Sequence, residues 1–149
     1  MSVNVQLEDF DVGAEITALS AGRTDIGAVV TFTGLVRGTA GGQDISDMEL
    51  EYYPGMTEKA LAKIEAEAST RWSLQASRII HRYGKLVPGA QIVMVATASP
   101  HRGDAFEAAE FIMDYLKSRA PFWKKEGTAD GGKWVDARDV DEDALDRWD

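Results

Sequence analysis

Cysteine is absent from this 149-residue chain, and histidine occurs only at His81 and His101. Without a thiol there is no disulfide, no thiolate zinc site, no cysteine-held iron–sulfur cluster, no persulfide carrier and no sulfur nucleophile. Two histidines are too few for a histidine-rich metal site, so no such site is expected. Acid–base or covalent chemistry falls to Lys, His, Asp, Glu, Ser, Thr or Tyr. Long apolar runs are missing too: nothing approaches the ~18–20 residues of a membrane span. Met1–Phe10 has neither the basic start nor the apolar stretch of a signal peptide, which points to a cytoplasmic protein that binds no membrane. Nor is there a Gly-x-Ser-x-Gly elbow, a Walker loop, a His-Glu-x-x-His pair or an acidic calcium ladder.

What is present fits one globular domain over residues 1–149: 44% of residues are hydrophobic and 28% charged. The net charge of −9 argues against nucleic acid as a partner, because phosphate neutralisation needs a basic field. The charge is unevenly spread. No base precedes Arg23, and acids outnumber bases from Glu126 to the end, whereas Lys117, Arg119, Lys124 and Lys125 form a basic island with no acid inside it. A solvated helix end explains such an island as well as a site does.

Alternation at Val3, Val5 and Leu7 predicts a strand, and Asp11 caps a helix that stops at Gly22. The β-branched run 27–36 predicts a strand near the core, followed by a mobile glycine-rich loop at 38–44. Met48, Leu50 and Tyr52 alternate as a strand, and Pro54-Gly55 turns into a helix over about 57–72. Strands over 77–83 and 91–99 form an antiparallel pair through Val87-Pro88-Gly89. Asp104 is the expected cap of a long helix ending near Ala120, before Pro121, with Phe106, Ala109, Met113 and Leu116 as its apolar stripe. Segments 122–126 and 133–138 flank Asp130-Gly131-Gly132 as a hairpin, and residues 141–148 predict a last helical turn or two. Strand and helix do not alternate strictly, so the fold class is α+β with a mainly antiparallel sheet and flanking helices.

Two places carry chemistry. His101-Arg102 sits between a strand and a helix N-terminus, where free N–H groups, the positive dipole end and a guanidinium fork suit an anion. An ordinary surface loop satisfies the same pattern. Lys117 lies at the edge of the helix stripe, and in an extended segment after Pro121 the side chains of Phe122, Lys124 and Glu126 share one face. Lysine must lose a proton to act as base or nucleophile; neighbouring cations and desolvation favour that loss, which makes Lys117 or Lys124 a candidate catalytic amine. Favourable contact with the helix C-terminal dipole is the competing explanation.

The strings Val-Thr-Phe-Thr-Gly-Leu-Val-Arg (30–37), Glu-Tyr-Tyr-Pro-Gly-Met-Thr-Glu (51–58), His-Arg-Tyr-Gly (81–84), Ser-Pro-His-Arg (99–102) and Phe-Ile-Met-Asp-Tyr-Leu-Lys-Ser-Arg-Ala-Pro-Phe-Trp-Lys-Lys-Glu (111–126) are similar to the catalytic large-subunit family of molybdopterin synthase. The resemblance runs over nearly the whole chain, in order. It implies an α/β-hammerhead fold, a homodimer of large subunits, and a small ubiquitin-like sulfur-carrier partner at each end, making a heterotetramer. The partner's C-terminal Gly-Gly thiocarboxylate would enter a pocket and pass sulfur, twice, to cyclic pyranopterin monophosphate, forming the dithiolene of molybdopterin. By the same resemblance the substrate contacts are Leu35, Val36, Arg37, His101, Arg102, Lys117, Lys124, Lys125 and Glu126, with Lys117 and Lys124 catalytic. His101 and Arg102 would reach the pocket from the other protomer, and Phe32, Met113 and Arg138 match further pocket positions. The resemblance implies no metal or organic cofactor for the transfer itself. The alternatives are a non-catalytic docking module for a ubiquitin-like tail and a generic phosphate-metabolite enzyme, which would need the anion site but no groove for a tail.

Overall fold

The computed structural model describes residues 1–40, 42–128, 131–135 and 139–149. Among the described residues, two four-stranded sheets and a two-stranded ribbon carry helices of 9, 16 and 18 residues and a short C-terminal one. The first sheet runs in the order β1 (Ser2–Gln6), β6 (Ala76–Arg82), β8 (Gln91–Ser99), β2 (Ala28–Leu35). The β1–β6 pair is parallel; every other pair is antiparallel, as an α+β class requires.

Side-chain alternation sends the strands of this sheet into two cores. Ile79, Val93 and Val95 face α2 (Met56–Arg71) and α3 (Arg102–Arg119), meeting Leu61, Ile64, Phe111, Ile112 and Leu116. Ile80, Met94 and Ala96 face the other way, onto Val12, Ile16 and Leu19 of α1 (Val12–Ser20). With helices on both faces, β8 is buried from Val93 to Ser99, which is why its sequence is an apolar run and not an alternation. The strand over 28–35, expected near the core, is instead the sheet's half-buried edge.

The second sheet runs β10 (Gly131–Val135), β9 (Phe122–Thr128), β5 (Asp47–Tyr52), β7 (Gly84–Leu86). Its cluster is small: Met48, Leu50 and Leu86 with Val36. β9 and β10 pair antiparallel as a hairpin, but Gly131 and Gly132, expected in its turn, belong to β10 and lie opposite Thr128 and Gly127, because the ladder continues past the expected strand ends; Asp130 and residues 136–138 lie outside the described residues. The segment expected to be a mobile loop contains two short paired strands, β3 (Thr39–Ala40) and β4 (Gln43–Asp44), anchored by the bond from Ile45 N–H to the Gly38 carbonyl at 2.8 Å.

The helix ends show where local rules held and where tertiary contacts overrode them. Asp11 caps α1 as expected, its Oδ1 accepting from Ala14 N–H at 3.0 Å. Asp104 does not cap α3. The helix starts at Arg102 with His101 at the cap position, and Asp104 Oδ2 accepts from Ser73 N–H at 2.9 Å, tying α3 to the loop after α2. The buried face of α3 is Ala105, Ala108, Ala109, Phe111, Ile112 and Leu116, so the expected stripe is rotated and Phe106 is 59% exposed. Packing against both a sheet and α2 demands a broader arc than one stripe supplies. α3 ends at Arg119 with Ala120 extended, as Pro121 dictates.

The acidic tail forms α4 (Asp139–Ala144) and a 3-10 turn (Leu145–Trp148). It is docked, not merely solvated. Trp148 packs edge-on against Trp72 and Phe111 and donates its Nε1–H to Asp114 Oδ2 at 2.7 Å, while Arg147 pairs with Glu110 and Asp114. Among the described residues no helix is long and apolar enough to cross a membrane, and no cluster of His, Asp and Glu could hold a metal ion.

Candidate active site

A cleft of about 580 Å³ opens between the two sheets and the end of α3. Its first wall is β2 and the residues after it: Phe32, Leu35, Val36 and Arg37. The register with β8 shifts between Gly34 and Leu35, which re-aims this stretch. Gly34 has no room for a side chain, since a Cβ there would lie 2.8 Å from Val93 Cγ1.

The opposite wall is the last turn of α3 with Leu116 and Lys117, then Phe122, Lys124 and Glu126 of β9. The register with β5 explains the trio: Phe122 lies opposite Tyr52, Lys124 opposite Leu50 and Glu126 opposite Met48, and Met48 and Leu50 line the floor. Lys124 Nζ stands 3.7 Å from Glu126 Oε1, a carboxylate that is largely buried. The cleft therefore joins an apolar floor to three cations, Arg37, Lys117 and Lys124, against two carboxylates, Glu126 and Asp141, a setting suited to an anionic ligand with a flat or extended apolar part.

Phe32, Leu35, Val36, Arg37, Lys117, Lys124 and Glu126, all expected from the sequence, thus meet in one place. Others do not. Lys125 belongs to the alternate set of β9 side chains, with Trp123, and does not line the cleft. Met113 packs against the main core. Arg138 lies outside the described residues. His101 and Arg102 line a separate shallow depression with Gly27, Ala28 and Pro100 at the start of α3. There the chain passes so closely that a Cβ on Gly27 would fall 2.0 Å from the Pro100 carbonyl oxygen, and Gly27 N–H bonds the Ser99 carbonyl at 3.1 Å.

Two ionisable lining residues were not singled out as candidate site residues from the sequence. Asp141 reaches the cleft because the tail folds back on α3, where Ser118 Oγ donates to the Asp141 carbonyl at 2.9 Å. His81, 5% exposed, lies in the wall between the sheets. Its ring stacks on Phe122 with centroids 3.7 Å apart and planes at 17°. Nδ1 is 2.8 Å from the Arg82 carbonyl, which makes it the protonated nitrogen of a neutral ring. Burial, helped by the nearby charge of Lys117 and opposed by the Arg82 carbonyl, lowers the His81 pKa from 6.5 to about 4. Pairing with Phe122 is a contact between distant strands, and no local signal in the sequence reports it.

Comparison with known proteins assigns this architecture. The sequence profile of the family described as "MoaE protein" matches residues 5–119, more than half of the chain. The molybdopterin synthase catalytic subunit of Ralstonia nicotianae is 63% identical over 147 residues, covering 99% of this chain and 84% of the relative. Among solved structures, the molybdopterin biosynthesis MoaE protein from Burkholderia ambifaria superposes with a TM-score of 0.85 at 56% identity, covering 99% of this chain and 97% of that one. Molybdopterin synthase from Staphylococcus aureus gives 0.83 at 35% identity, covering 89% and 96%. The chain belongs to the MoaE family. The profile stops before Lys124 and Glu126, whereas the Ralstonia alignment continues through them.

Proposed function

We propose that this chain is the catalytic subunit of a molybdopterin synthase, acting as a sulfurtransferase. Sulfur passes from the thiocarboxylated Gly-Gly terminus of a small ubiquitin-like subunit to cyclic pyranopterin monophosphate, and two transfers make the dithiolene. The observation that carries this reading is the convergence of Lys117 and Lys124, from two different elements, with Arg37 over an apolar floor, in a chain at 63% identity to a named catalytic subunit.

Both substrates are anions, and the cleft offers cations to each. Arg37 suits the pterin phosphate. Lys117 stands where an ammonium holds the thiocarboxylate. The thiocarboxylate sulfur bonds to a pterin carbon as an oxygen substituent leaves that carbon. The resulting thioester is cleaved at the glycine carbon by water, directly or after transfer of the acyl group to a lysine amine, which leaves sulfur on the pterin and returns the glycine as a carboxylate. A lysine serves as proton donor, base or transient acyl acceptor for that exchange. Lys124, beside Glu126, is the second group able to move a proton or balance charge. The chain has no cysteine, so the sulfur arrives on the partner and never resides on this protein as a persulfide.

His101 and Arg102 line a different depression from the lysines. This supports a homodimer in which they complete the cleft of the second protomer, within a heterotetramer. We place the reaction in the cytoplasm, in keeping with biosynthetic relatives of this kind.

Incubation with the thiocarboxylated carrier and cyclic pyranopterin monophosphate, followed by mass spectrometry, tests the reading. The expected result is a dithiolene product. A stable complex without product would instead support a docking module.

A further inference from the structure

The two lysines of the proposed site are separated by the junction from α3 to β9, which passes through Ala120, Pro121 and Phe122. That junction is clamped from two sides. Thr57, fully buried at the start of α2, donates its hydroxyl to the Pro121 carbonyl at 2.9 Å and accepts from Tyr53 N–H at 2.9 Å. His81, from the other sheet, lays its ring flat on Phe122. Phe122 and Lys124 share a face of β9, and Lys117 lies in the last turn of α3. Of the two clamps, the His81 ring is the one that also lines the cleft.

We infer that His81 is a positioning residue for sulfur transfer: by stacking on Phe122 it sets where β9 holds Lys124 relative to Lys117. This rests on the sulfurtransferase reading. The Nδ1 bond to Arg82 fixes the ring plane, and the ring's neutrality adds no further cation to the wall between the lysines. A stacked plane is what the position uses; acid–base exchange by His81 is not part of the role.

Two variants of similar bulk separate the stack from mere filling. His81→Phe keeps an aromatic plane, whereas His81→Leu does not; both lose the bond to Arg82, so that cost is common to the pair. In assays of dithiolene formation, His81→Leu is expected to lower kcat about tenfold or more, with KM for cyclic pyranopterin monophosphate within about twofold, while His81→Phe stays within about threefold of the parent kcat. Equal kcat for the two variants, or a loss that only tracks the folded fraction seen by circular dichroism, overturns the inference. A second readout needs no turnover. With lysines labelled by ¹³C reductive methylation, the Lys124 signal is expected to move in His81→Leu and to keep its parent position in His81→Phe. If that signal is alike in all three proteins, positioning is refuted whatever the activity. If it responds as expected while the parent protein makes no product, the positioning stands and the sulfurtransferase reading fails.

Discussion

The buried imidazole of His81 makes a quantitative demand on how stability varies with pH. Its pKa is about 4 in the folded chain, against 6.5 for an unfolded histidine. Between those values the unfolded state binds the proton and the folded state does not. The contribution to stability is therefore complete above about pH 6.5 and is lost as pH falls towards 4. At ~1.36 kcal/mol per tenfold change in proton affinity, the whole loss is about 3 kcal/mol, of which about 2 kcal/mol is gone by roughly pH 5. Glu65 works in the opposite sense: burial raises its pKa against the bond from Ser77, so this group favours the folded state as pH falls. Comparison with His81→Phe removes that complication, since both proteins carry Glu65. Urea unfolding at pH 7.5 and pH 5 is the assay. With a slope of about 2 kcal/mol per molar, the parent midpoint is expected to drop about 1 M further than that of His81→Phe. Equal drops in the two proteins would show that His81 is not held neutral by burial, and the reasoning would fail.

Other perturbations have equally definite outcomes. Lys117→Ala is expected to reduce product formation about a hundredfold or more while partner affinity, measured by calorimetry, changes little; lost binding with normal single-turnover chemistry would reassign the residue to docking. Gly27→Ala forces a Cβ to within 2.0 Å of the Pro100 carbonyl, so the turn presenting His101 and Arg102 must shift. A fall in Tm of about 5–10 °C is expected by calorimetry. Trp148→Ala removes two edge-on ring contacts and the bond to Asp114. It is expected to cost about 2–3 kcal/mol in urea unfolding, whereas a solvated tail would cost nearly nothing.

The half of the candidate site on β9 was legible because a strand has a period of two: once Pro121 ends the helix, Phe122, Lys124 and Glu126 of the extended segment share a face. The same rule puts Lys125 on the other side, a separation that the family resemblance did not make. The cap at Asp11 was legible because it is a contact within one turn. Asp104 had the right composition for a cap, but Ser73 N–H, distant in sequence, competes for its carboxylate. Phe106 shows the same limit, since helical spacing defines an arc and only the packed neighbours decide where it is centred. His81 and Asp141 enter the cleft through contacts between elements far apart in sequence, a strand against β9 and a tail against α3. No periodicity records either contact.

The central claim is that sulfur reaches the pterin from a partner's thiocarboxylate through a cleft that holds no thiol. Loading the small subunit with a ³⁴S-labelled thiocarboxylate and following the pterin by mass spectrometry tests it directly. The account predicts that both dithiolene sulfurs carry the label and that the spent partner ends in an ordinary carboxylate. A dithiolene without the label, or labelled carrier that remains intact in the complex, would contradict it.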